Sequence, residues 1–81
     1  MELKALANNR RLAIVRMLKQ KKEMSVGEIA RALKLSIKAT SKHLSVLKSA
    51  DIVEYEQRSL LYFYKLVSPL PESLKAILPI L

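Results

Sequence analysis

The sequence predicts a small α+β domain, mainly helical with one β-hairpin. Three observations carry that prediction. Two helical segments, opened by Ser25 and Ser36, follow one another across a turn of three or four residues. After Asp51 the pattern changes to short runs rich in β-branched and aromatic residues. A chain of 81 residues, 51% of them apolar, is enough for one core and too short for two.

Taken in order, Leu3 and Leu6 mark a short helix at 2–7. Asn8 or Asn9 can cap the next, in which Leu12, Ile14, Val15, Met17 and Leu18 recur at helical spacing among Arg10, Arg11, Arg16 and Lys19. Ser25-Val26-Gly27-Glu28 is a capping box, because a serine at the N-cap and a glutamate three residues on satisfy each other's orphan backbone donors. Ile29, Ala30 and Leu33 give that helix an apolar stripe. Lys34-Leu35 reads as a tight turn, and Ser36 caps a helix that runs to Ser49 or Ala50. Ile52–Glu56 and Leu60–Leu66 read as strands joined by Gln57-Arg58-Ser59, which places Arg58 at the hairpin tip. Pro71 suits the first turn of a last helix, 71–78, with Glu72 at its positive end. Leu70, Leu74, Ile77, Leu78 and Leu81 keep helical spacing there, and Pro79 ends the helix.

The expected order is therefore α-α-α-α-β-β-α, a winged helix-turn-helix filling residues 1–81 as one domain. The helix-turn-helix takes about 25–50 and the wing about 52–66.

Charge narrows the function. Fifteen Lys and Arg against seven acids leave a net charge of +8, which favours a polyanionic partner, nucleic acid or anionic membrane. Within 36–49, Thr40, Leu44 and Leu47 should pack inward, with Val46 and Ala50 at the margin. Lys38, Ser41, Lys42, Ser45, Lys48 and Ser49 share the other side, and no acid occurs from Ala30 to Ala50. A solvated helix face usually mixes charge signs, because opposite charges at i,i+4 support it. A one-signed face of lysines and small hydroxyls suits phosphate contact and a close approach to the major groove. Bidentate base readers are missing from this face, so DNA shape and the wing are expected to share in specificity. Arg58 could reach a phosphate or the adjacent minor groove. Tyr55, Tyr62, Phe63 and Tyr64 read as sheet-face and core residues rather than base-stacking platforms. His43 reads as a boundary residue bonded to backbone or phosphate.

These segments resemble the ArsR/SmtB family of bacterial and archaeal repressors. Leu6-Ala7-Asn8-Asn9-Arg10-Arg11-Leu12 is similar to its entry segment, and Met24-Ser25-Val26-Gly27-Glu28-Ile29-Ala30 to its first helix-turn-helix element. Leu35-Ser36 with Ser41-Lys42-His43-Leu44-Ser45-Val46-Leu47 resembles its recognition helix. Ala50-Asp51-Ile52-Val53 and Tyr62-Phe63-Tyr64-Lys65-Leu66 resemble its wing strands. The resemblance spans about residues 6–66. It implies a homodimeric transcriptional repressor that binds double-stranded DNA through Ser36, Ile37, Lys38, Ala39, Ser41, Lys42 and His43, with Ser45 on the same face and Arg58 from the wing. Leu3, Leu6, Leu74, Ile77, Leu78 and Leu81 are the matching dimer surfaces.

Departures from the family pattern are informative. Where metal-sensing members carry Cys-x-Cys this chain has Ser25-Val26-Gly27, and its last helix offers only Glu72 as a ligand. Without any cysteine and with one histidine, no metal site or cofactor is expected. Lys34, Asp51 and the wing tip replace residues that are often glycine. No carboxylate pair, nucleophile-base set or glycine-rich phosphate loop suggests an enzyme. The N-terminal stretch to Gln20 is punctuated by charge and no apolar run approaches a membrane span, so the cytoplasm is the expected compartment. A two-fold dimer should read an inverted repeat. Two alternatives stand beside sequence-specific regulation: non-specific chromosomal DNA binding and a winged-helix protein-interaction module. No effector can be named.

Overall fold

The computed structural model describes Ala5, residues 7–69 and Glu72. The elements are α1 (Asn9–Lys21), β1 (Glu23–Ser25), α2 (Val26–Leu33), α3 (Ile37–Ser49), β2 (Val53–Arg58) and β3 (Leu61–Leu66). Leu3, Leu6, Leu74, Ile77, Leu78 and Leu81 lie outside the described residues, as do most of the terminal segments 2–7 and 71–78.

Each helix starts where its cap residue dictates. The Asn8 side chain accepts from the backbone N–H groups of Arg10 and Arg11, opening α1. Ser25 Oγ accepts from the Glu28 N–H at 3.2 Å while Glu28 Oε1 accepts from the Ser25 N–H at 2.8 Å, so the expected capping box is complete. Ser36 Oγ accepts from the Ala39 N–H at 3.0 Å and opens α3.

Two helices end in the same way. After α2, Lys34 enters the left-handed region (φ 57, ψ 44), its N–H reaching the Arg31 carbonyl while Leu35 N–H reaches Ala30. After α3, Asp51 has φ 60, its N–H bonds to Lys48, and Ile52 N–H bonds to Leu47 at 3.0 Å. Both are Schellman closures, which normally place glycine at the left-handed position. The second also packs Ile52 against the turn it closes, since Leu47 and Ile52 are both fully buried.

The core lies where α1, α2 and α3 meet one face of the sheet. Ile14, Val15 and Leu18 come from α1, Ile29 from α2, Leu44 and Leu47 from α3, and Met24, Ile52 and Val53 from the sheet side. Thr40 is buried among them with its hydroxyl satisfied, donating to the Ser36 carbonyl at 2.9 Å. Ala5, helical and buried, joins the same cluster, and Arg11 Nε donates to its carbonyl.

Two expectations need correcting. The order α-α-α-α-β-β-α omitted β1, which turns the hairpin into a three-stranded antiparallel sheet of order β1-β3-β2. Glu23-Met24-Ser25 is too short to show a strand period, and its partners Lys65, Tyr64 and Phe63 lie far along the chain. The hairpin turn is also shorter than Gln57-Arg58-Ser59. Arg58 pairs with Leu61 as the last rung of the ladder, so the turn is Ser59-Leu60, with Ser59 at φ 58. Arg58 therefore ends a strand instead of occupying the tip.

Candidate nucleic-acid interface

Helix α3 divides into three strips. Thr40, Leu44 and Leu47 are fully buried, as the spacing predicts. Lys38, Ser41, Lys42, Ser45, Lys48 and Ser49 are all exposed, with Ser36 and Ile37 at the entry. Ala39 and His43 are half-buried on the flank nearest α1. The basic, acid-free strip is thus a real surface, held outward by a buried strip on the opposite side. Among the described residues no carboxylate pairs with Lys38 or Lys42.

His43 is set apart from the lysine strip. Its pKa lies below the ordinary 6.5, first because burial disfavours the charged ring and then because the Arg11 and Arg10 guanidiniums repel it. Both effects favour the neutral ring, which offers one donor and one acceptor.

On the other flank, α3 faces the wing. Lys48 Nζ sits 5.5 Å from the centre of the Tyr55 ring, within cation–π range. Tyr55 packs in turn on Tyr62 (5.3 Å) and Tyr64 (5.4 Å), a ladder of tilted rings along β2 and β3. Tyr64 is half-buried against the core, whereas Tyr55 and Tyr62 run beyond it and stay exposed. The aromatics are sheet-face residues, as expected. Their contact with the basic helix was not foreseen, because it joins residues from separate elements.

Between the start of α2, the start of α3 and the wing tip runs an open apolar groove of about 380 Å³. Val26, Gly27, Ile37, Ser41, Leu60, Leu61 and Tyr62 line it together with Ser25. Ile37 is 54% exposed and Leu60, at the tip of the turn, 91%. Sequence reasoning singled out Ile37 but missed Leu60, which periodicity assigns to a strand.

Arg58 points to the opposite side of the sheet. Its Nη1 and Nη2 donate to the two carboxylate oxygens of Glu23 at 2.7 and 2.8 Å, and Nη2 also reaches Glu56 at 3.1 Å. The guanidinium stacks 4.6 Å from the centre of the Phe63 ring. Lys65 and Glu54 pair at 3.7 Å on the same surface. This outer sheet face mixes both charge signs, unlike α3. The guanidinium holds the Glu23 carboxyl below its ordinary pKa, and the two carboxylates push that of Arg58 up.

Among the described residues no helix is long and apolar enough to cross a membrane, and no group of three His, Cys, Asp or Glu could hold a metal ion.

Comparison with known proteins agrees with this geometry. Residues 8–55 match the model of the family described as bacterial regulatory protein, arsR family. The transcriptional activator HlyU of Vibrio cholerae is 44% identical over 66 residues, covering 82% of this chain and 60% of that protein. The match thus spans 60% of that relative's length, less than two thirds. The solved HlyU structure superposes with a TM-score of 0.82 at 38% identity, over 96% of this chain and 80% of that one. A homodimeric winged helix-turn-helix DNA-binding domain from Mycobacterium bovis is 38% identical, with a TM-score of 0.73 over 78% of this chain and 57% of that one. The transcriptional repressor PagR of Bacillus anthracis is 30% identical, with a TM-score of 0.73 over 83% and 76% of the two chains.

Proposed function

This chain belongs to the arsR family of bacterial regulatory proteins, and we propose that it acts as a dimeric, sequence-specific DNA-binding regulator of transcription, most simply a repressor. Its relatives are transcriptional regulators, not enzymes. One observation supports the reading above all: α3 exposes Lys38, Lys42 and Lys48 with Ser41, Ser45 and Ser49 and carries no acid. That strip can release counterions from phosphates while its small side chains let the helix approach base edges.

In this reading α3 lies in the major groove, with Ser36, Ile37, Lys38, Ala39, Ser41, Lys42, His43 and Ser45 nearest the duplex. Arg58 joins from the wing when phosphate displaces its carboxylates. Leu3, Leu6, Leu74, Ile77, Leu78 and Leu81 build the dimer, which presents two α3 helices about 34 Å apart to an inverted repeat. The work is cytoplasmic and needs no metal or cofactor; the effector is unassigned. Its relatives include both a named activator and a named repressor.

Selection of bound sequences from random duplex DNA tests this reading. An enriched inverted repeat is expected, and Lys38→Glu with Lys42→Glu should abolish its retention. Equal displacement by random duplex would favour chromosomal packaging instead, a reading supported by the lack of Arg, Asn and Gln on the α3 strip. Full activity of the charge-reversed variant would favour a protein-interaction module.

A further inference from the structure

We propose that Ile37 is a specificity-determining residue that recognises the 5-methyl group of a thymine in each half-site. The inference rests on the DNA-binding reading above and supplies what that reading lacks, a means of distinguishing bases without bidentate side chains.

Four observations converge. Ile37 is the first residue of α3, and the N-terminal residues of a recognition helix are those that meet base edges. It is 54% exposed, so packing among the described residues leaves much of it uncovered. It lines the apolar groove together with Ser41, one turn further along the same helix, so the two offer an apolar surface beside a hydroxyl. The exposed lysines Lys38 and Lys42 flank this spot, and α3 carries no acid.

That setting favours a polyanion bearing apolar groups over an ordinary protein surface. In the major groove the thymine methyl is the apolar mark that separates A·T from G·C, and aliphatic side chains are suited to contact it. Serine at position 41 can serve either a donor or an acceptor on the neighbouring base. Leu60 and Leu61 line the far side of the same groove from the wing and extend its apolar surface.

The experiment uses the full chain and the half-site recovered by selection. Each thymine is replaced in turn by deoxyuridine, which removes only the methyl, and affinity is measured for wild type and for Ile37→Ala. For wild type, one thymine per half-site should show about fourfold weaker binding on losing its methyl. Ile37→Ala should bind the thymine and deoxyuridine duplexes equally. Ile37→Val should retain part of the discrimination. Deoxyuridine sensitivity that survives in Ile37→Ala, or is absent from wild type on a specific site, overturns the assignment while leaving DNA binding intact. Failure to select any site overturns it together with the reading on which it rests, and binding to random duplex distinguishes a non-specific binder from a protein that does not bind DNA. Unchanged DNA affinity in Ile37→Ala on every duplex, with loss of a protein partner, would also overturn it.

Discussion

Arg58 and Glu23, 35 residues apart, meet through two parallel hydrogen bonds of 2.7 and 2.8 Å across the outer face of the sheet. The contact ties the end of the wing to the short strand before the helix-turn-helix. It also occupies the one guanidinium that the wing could offer to DNA.

Exposed ion pairs contribute little to folding, so Arg58→Ala should leave the denaturation midpoint nearly unchanged. The carboxyl should respond more clearly. Glu23 titrates below the ordinary 4.5 because of Arg58, so the contribution of the pair is present above about pH 4.5 and is lost as pH falls through the depressed value. In Arg58→Ala the Glu23 titration, followed by NMR, should return towards 4.5.

Freeing Arg58 should strengthen DNA binding. Glu23→Gln is expected to raise duplex affinity severalfold, Arg58→Ala to lower it, and the double variant to resemble Arg58→Ala. Equal affinities for all four proteins would remove Arg58 from the interface.

Lysine contacts predict a salt signature. Lys38→Ala and Lys42→Ala should each reduce the slope of log affinity against log salt by about one. Lys65→Ala, on the mixed-charge sheet face, should leave the slope unchanged.

Four described non-glycine residues have positive φ, Lys22 at 75 and three that cluster near 60, and these three store conformational cost. Lys34, Asp51 and Ser59 have φ of 57, 60 and 58 without being glycine. Glycine there removes a penalty of roughly 1–2 kcal/mol but adds about 0.5–1 kcal/mol of unfolded-state entropy, for a net gain of ~0.5 kcal/mol. Chemical denaturation should show that gain for Lys34→Gly and Ser59→Gly, and less for Asp51→Gly because Asp tolerates this region.

His43 makes stability pH-dependent. Its folded pKa lies below 6.5, so the unfolded chain takes up the proton first as pH falls. Stability should be full above about pH 6.5 and decline below it, and His43→Gln should flatten that decline. Denaturation midpoints between pH 5 and 7.5 measure it.

Much of this protein could be read from local sequence. Asn8, Ser25 with Glu28, and Ser36 are caps whose partners lie two or three residues away, so a linear reading found every described helix start. Helical spacing likewise sorted α3 into a buried strip of Thr40, Leu44 and Leu47 and an exposed lysine–serine strip. Tertiary structure decided the rest, because those features depend on residues brought together from far along the chain. Strand β1 exists only because β3 offers it a partner, and Arg58 faces Glu23 only because that pairing aligns them. The groove beside Ile37 needs three elements at once, two helix starts and a hairpin turn whose length a single residue of register sets. Short-range hydrogen bonding and amphipathic spacing write themselves into sequence, whereas long-range pairing leaves no local period to read.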